Sequence, residues 1–158
     1  MNPMDRARST DTPLARVGNV EVSKFETATG ARLRLRRADR AQVEAYLDPL
    51  ELEGLTRVRY KPIAVLPGVA HRAPDDALRR AAAERVEPLQ NEFAMVGVGV
   101  TRWNSEAGLL IKDMNAGQIV LLTANELEAL LRARHMDFAP LIDTSDLVAI
   151  PEPDIDEA

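Results

Sequence analysis

The chain has 158 residues, no cysteine, 46% hydrophobic residues, only 4% aromatic residues and a formal net charge of −5. These values exclude disulfide and thiol chemistry and require a core built from Leu, Val, Ile and Ala rather than from aromatic rings. No apolar run approaches the roughly 18 residues of a membrane-spanning helix, and residues 1–16 hold no apolar signal-peptide stretch, so a cytoplasmic, reducing location is expected.

Residues 1–16 are polar and contain Pro3 and Pro13, the composition of a flexible arm. Residues 17–25 read as a strand, because Val20 and Val22 alternate with Glu21 and Ser23. Gly30 closes a turn. Ala31, Leu33 and Leu35 then alternate with Arg32, Arg34 and Arg36, the pattern of a half-buried strand with a basic solvent face. Residues 42–47 fit either a strand or a helix on local pattern. A helix start follows, with Asp48 as N-cap, Pro49 at the first helical position, Glu51 closing a capping box and Leu47 with Leu52 as a hydrophobic staple.

Residues 56–66 read as mostly extended, and Pro67-Gly68 turns. Pro74, Asp75 and Asp76 predict the start of an Ala-rich helix running to about Glu87, where Pro88 ends it. Residues 93–103 are apolar on both sides and predict a central strand covered on each face. Gly97 and Gly99 share one side, where another element, the Ala-rich helix by expectation, can approach the backbone closely. Residues 108–113 and 118–122 flank a turn at residues 114–117. Thr123 then caps a helix, Glu126 completes a second capping box, and the helix is expected to reach about Arg134.

The two helix starts are alike. Residues 47–55 align with residues 122–130 at an offset of 75 without a gap. The β-branched, apolar residues 118–122 therefore argue that their counterparts at 42–47 are a strand. The expected fold is α+β: a duplicated β-β-β-α unit in a pseudo-twofold arrangement, with a central strand and the Ala-rich helix as an insert. Its parts are an N-terminal arm at 1–16, a first unit at 17–55, linking strand and helix at 56–91, a second unit at 92–136 and an acidic extended tail at 137–158, all in one compact domain. In outline, a repeated strand-rich unit with a helix after its last strand resembles the folds of single-strand-binding coactivators. No diagnostic motif accompanies the outline, and no family is assigned.

Charge is unevenly placed. Residues 1–80 carry fifteen Lys or Arg against eleven Asp or Glu, and residues 81–158 carry five against fourteen. The basic-face candidates are Arg32, Arg34, Arg36, Arg37, Arg40, Arg57 and Arg59, a set that can track phosphates if aromatic side chains lie near. Tyr46 and Tyr60 are the aromatic candidates. Trp103, with Arg102 and Asn104, is the interface candidate, because a lone Trp at a strand end is a frequent anchor. No catalytic residues are expected. Asp48, Glu51, Thr123 and Glu126 are read as structural caps. His71 with Asp75 is a weak metal candidate, and no cofactor is expected.

These features favour a non-enzymatic structural or protein-interaction subunit of a larger assembly, with a protein partner or self-association. Nucleic acid bound by the Arg32–Arg36 face is the alternative, and a small enzyme of unspecified class is the third reading. No membrane partner and no small-molecule ligand are expected.

Overall fold

A computed structural model describes residues 10–58, 63, 65, 66, 75–103 and 106–142. Two four-stranded antiparallel sheets run in simple chain order. The first contains β1 (Thr10–Val17), β2 (Val20–Thr27), β3 (Gly30–Arg37) and β4 (Glu44–Leu47), followed by α1 (Pro49–Leu55). The second is preceded by α2 (Asp75–Ala82) and contains β5 (Glu87–Gln90), β6 (Met95–Trp103), β7 (Glu106–Asp113) and β8 (Ile119–Leu122), followed by α3 (Ala124–Leu130). A 3₁₀ helix, His135–Leu141, closes the described chain. The fold is α+β, and no described helix is long and apolar enough to cross a membrane.

Each sheet has one strand more than the sequence pattern predicts. Thr10–Val17 is a strand where an arm was expected, and Glu87–Gln90 is a strand where the Ala-rich helix was expected to end. Both contain a proline, which obscured them. Both are edge strands, where a missing backbone N–H can be tolerated. In β1 the pairing register shifts between Pro13 and Ala15, a bulge that accommodates the ring. Glu87 precedes Pro88 and is biased to extended backbone; α2 itself stops earlier, at Ala82. Thr56 to Val58 form a turn closing α1 rather than the start of a strand. The ambiguous segment is resolved as β4, which pairs with β3 from Leu33↔Leu47 to Arg36↔Glu44.

One core joins the inner faces of both sheets. Val20, Val22, Leu33 and Leu35 meet Val96, Val98, Leu109 and Ile111, with Leu52 and Leu55 of α1 and Leu127 and Leu130 of α3 filling the space. α1 packs mainly on β6 and β7 of the second sheet, and α3 sits between the sheets, on both β2 and β7. Lys24 on β2 bonds Glu87 on β5 at 3.0 Å across the seam.

A smaller layer lies outside the second sheet. Ala77 and Ala81 of α2 pack on Leu110 and Leu121. The expected close approach at the paired glycines occurs, but the segment just after α2 makes it. A Cβ on Gly97 would lie 2.5 Å from Val86 Cγ2, and one on Gly99 would lie 2.6 Å from the Arg85 carbonyl oxygen. α3 ends at Leu130, short of the expected Arg134. The chain then turns so that Phe138 and Leu141 of the 3₁₀ helix reach the core.

Candidate nucleic-acid interface

Both capping boxes form as predicted. The Asp48 and Glu51 amides exchange bonds with the opposite side chains at 3.0 and 2.8 Å, and those of Thr123 and Glu126 do so at 2.7 and 3.3 Å. The four caps are therefore structural. Glu51 does one thing more: its second carboxylate oxygen lies 2.6 Å from His135 Nδ1.

The outer face of the first sheet is built by β3. Its period of two sends Ala31, Leu33 and Leu35 into the core and sets Arg32, Arg34 and Arg36 on the other side. Pairing places Phe25, Ser23 and Glu21 of β2 beside these three arginines in order. On β4, Tyr46 lies beside Arg34 and Glu44 beside Arg36. Phe25 and Tyr46 reach each other across β3, with ring centroids 5.5 Å apart in an edge-to-face contact. No described helix packs on this face in the way α2 packs on the second sheet.

The charges are partly met within the face. Arg34 Nη2 pairs with Asp11 of β1, and Arg36 Nε lies 3.8 Å from Glu21. The Arg34 side chain is 12% exposed, and its Nε is buried without a hydrogen-bond partner among the described residues. Arg32 is exposed and makes no ion pair with any described residue.

Of the other expected basic residues that are described, Arg37 and Arg57 do not join the face. Arg37 alternates to the opposite side, bonds Asp39 at 3.0 Å and approaches Glu128 of α3 at 3.6 Å. The guanidinium of Arg37 holds the Asp39 carboxyl below its ordinary range, with a further hydrogen bond from Asn19. Arg57 sits in the turn after α1, paired with Glu53 and the Leu141 carbonyl. Arg40 is exposed in the β3–β4 connection. Arg59 and Tyr60 lie outside the described residues.

The remaining candidates are dispersed. Arg102 is exposed at the end of β6, Trp103 pairs with Glu106 at the hairpin, and Asn104 lies outside the described residues. His71 also lies outside them, and Asp75 begins α2. Among the described residues no three His, Cys, Asp or Glu side chains cluster as a metal site would require.

Sequence reasoning missed Phe25. Its signal was available: Phe25, Ser23 and Glu21 share a parity on β2, and a turn at Gly30 sets Phe25 opposite Arg32. No protein-family model matches the chain, and neither a curated protein nor a solved structure matches it.

Proposed function

We propose that this protein is a non-enzymatic binding protein whose outer first-sheet face, on which no described helix packs, takes single-stranded nucleic acid. The observation that carries the reading is the Phe25–Tyr46 pair lying diagonally over β3, beside Arg32 and Arg34. Such a face combines the two parts that sequence-tolerant strand binding uses: cations for phosphates and flat rings for bases. A stacked base is worth about 1–3 kcal/mol. Arg32, exposed and without an ion pair to any described residue, is open to a phosphate, which arginine can engage with two parallel bonds. The Arg36–Glu21 contact at 3.8 Å is a partly exposed pair worth only about 0–1 kcal/mol, so phosphate can displace it, whereas the largely buried Arg34–Asp11 pair stays in place.

A labelled oligothymidine and its duplex counterpart, titrated at two salt concentrations, test this reading. The single strand should bind more tightly, and binding should weaken as salt rises. Lack of binding at ~50 mM salt overturns the proposal, because phosphate contacts are strongest there.

A protein-interaction subunit is the second reading. The pairing of Arg34 with Asp11 and of Arg36 with Glu21 supports it, because a charge-balanced sheet face also suits a protein surface. Sedimentation with and without the oligonucleotide separates the two: self-association that is indifferent to nucleic acid favours this second reading.

On the same proposal the two sheet–helix units are copies of one ancestral unit, set about a pseudo-twofold axis. Support comes from α1 and α3, whose bounds lie 75 residues apart and whose capping boxes use the same geometry. A rotation near a half-turn relating residues 20–55 to residues 95–130 in a crystal structure is the expected result. Two halves related in any other way would remove the axis.

A further inference from the structure

The basic face does not stop at its arginine row. Arg32 and Tyr46 also line a cleft of about 360 Å³, whose opposite wall is formed by Ala133, Arg134, His135 and Phe138. We infer that this cleft is a phosphate subsite for the same strand, filled by the nucleotide that leaves the sheet over the β4 edge. The inference rests on the nucleic-acid reading above and adds Arg134 and His135 to the binding surface.

The opposite wall is held rigidly. Phe138 and Leu141 are buried in the main core. Gly54 of α1 lets the Leu141 region approach so closely that a Cβ there would lie 2.9 Å from Leu141 Cβ. Arg57 Nη1 donates to the Leu141 carbonyl at 3.4 Å, and His135 Nδ1 lies 2.6 Å from Glu51 Oε2. The Arg134 amide donates to Asp137 Oδ2 at 2.7 Å. The Arg134 and His135 side chains therefore project from an anchored backbone, so little ordering remains to be done when an anion arrives.

The charges suit an anion. Arg32 and Arg134 are both exposed, and neither makes an ion pair with a described residue. Of the nearby acids, Glu51 is buried and bonded to the Asp48 amide and His135, Asp137 is bonded to the Arg134 amide, and Glu44 lines the cleft; Arg32 and Arg134 must outweigh their repulsion of a phosphate. The volume falls within the range of small-ligand sites, and Tyr46 presents a ring at the junction of face and cleft.

The test uses the full chain and a fluorescein-labelled oligothymidine, with the dissociation constant measured at several salt concentrations from ~50 to ~200 mM. Arg134→Gln should weaken binding several-fold and lower the slope of log affinity against log salt by about 0.7, the value of one phosphate contact on a single strand. Arg134→Lys, which keeps the charge, should keep the slope. Arg132→Gln, exposed and absent from the cleft wall, should leave both quantities unchanged. An Arg134→Gln variant with unaltered affinity and slope, alongside an Arg32→Gln variant that weakens binding, overturns the cleft while the face stands. A wild-type chain that fails to bind overturns both.

Discussion

His135 Nδ1 lies 2.6 Å from Glu51 Oε2, while Glu51 Oε1 accepts the Asp48 amide at 3.0 Å. One buried carboxylate thus closes the capping box of α1 and anchors the 3₁₀ helix more than eighty residues later in the chain. Glu51→Ala removes both bonds and leaves the Asp48 amide without its partner. The expected loss is about 1–3 kcal/mol. His135→Ala removes only a contact made by a ring that is 78% exposed, and should cost less than about 1 kcal/mol. Urea unfolding of both variants checks the ordering; a larger loss for His135→Ala would contradict it, because Glu51→Ala removes the same contact and the cap as well.

The paired glycines of β6 make a sharper test of packing. Gly99→Ala sets a methyl 2.6 Å from the Arg85 carbonyl oxygen, a backbone atom that cannot swing aside. Gly97→Ala meets Val86 Cγ2 at 2.5 Å, a side chain that can be shortened. Each should cost about 1–3 kcal/mol through overpacking. The added change Val86→Ala should recover part of the loss at position 97 and little of that at 99. Thermal unfolding of the four variants decides this. Equal rescue at both positions would mean that Arg85 and Val86 move together.

On the basic face, stability and binding should separate. Phe25 and Tyr46 are only partly buried, so replacing either by Ala should cost less stability than Leu33→Ala, which empties a fully buried site for about 2–5 kcal/mol. Loss of a stacking ring should nonetheless lower single-strand affinity by about 1–3 kcal/mol. Anisotropy titrations beside urea melts measure the two effects. An affinity unchanged by both aromatic substitutions would remove the rings from the interface.

Asp39 supplies a pH dependence with a defined sign. Its carboxyl titrates below the ordinary range because Arg37 and Asn19 bond the ionised form. A depressed folded value means that its stabilising effect is present above the unfolded carboxylate range and is lost as pH falls through the folded one. Comparison of the wild type with Asp39→Asn should therefore show a small gap in melting temperature at neutral pH. The gap should close in strong acid. Both side chains are open to solvent, Arg37 at 33% and Asp39 at 55% exposure, so the gap should also shrink with added salt. A gap that widens toward acid would contradict the assignment.

Much of the fold was legible because its signals are local. The capping boxes depend on residues three apart, and the β3 pattern depends on alternate residues. Both survive in any compact structure that buries Leu33, Leu35, Leu52 and Leu127. The edge strands β1 and β5 were not legible. Pro13 and Pro88 argue locally against a strand, and only position at a sheet edge removes the objection. The lengths of α2 and α3 were overestimated for a related reason. Helix propensity continues past Ala82 and Leu130, but Pro88 and the burial of Leu89, Phe138 and Leu141 turn the chain away.

The site divides along the same line. Sequence alone determined that Arg32, Arg34 and Arg36 share one side of a strand, because a strand has a period of two whatever surrounds it. It could not determine that Phe25 and Tyr46 meet across β3, or that Asp11 and Glu21 pair with two of those arginines. Such facts depend on register between strands. Nor could it place Arg134 and His135 beside Arg32 or pack α2 on the second sheet. Those placements are settled by which apolar surfaces find each other when the core closes, and that choice belongs to the whole chain at once.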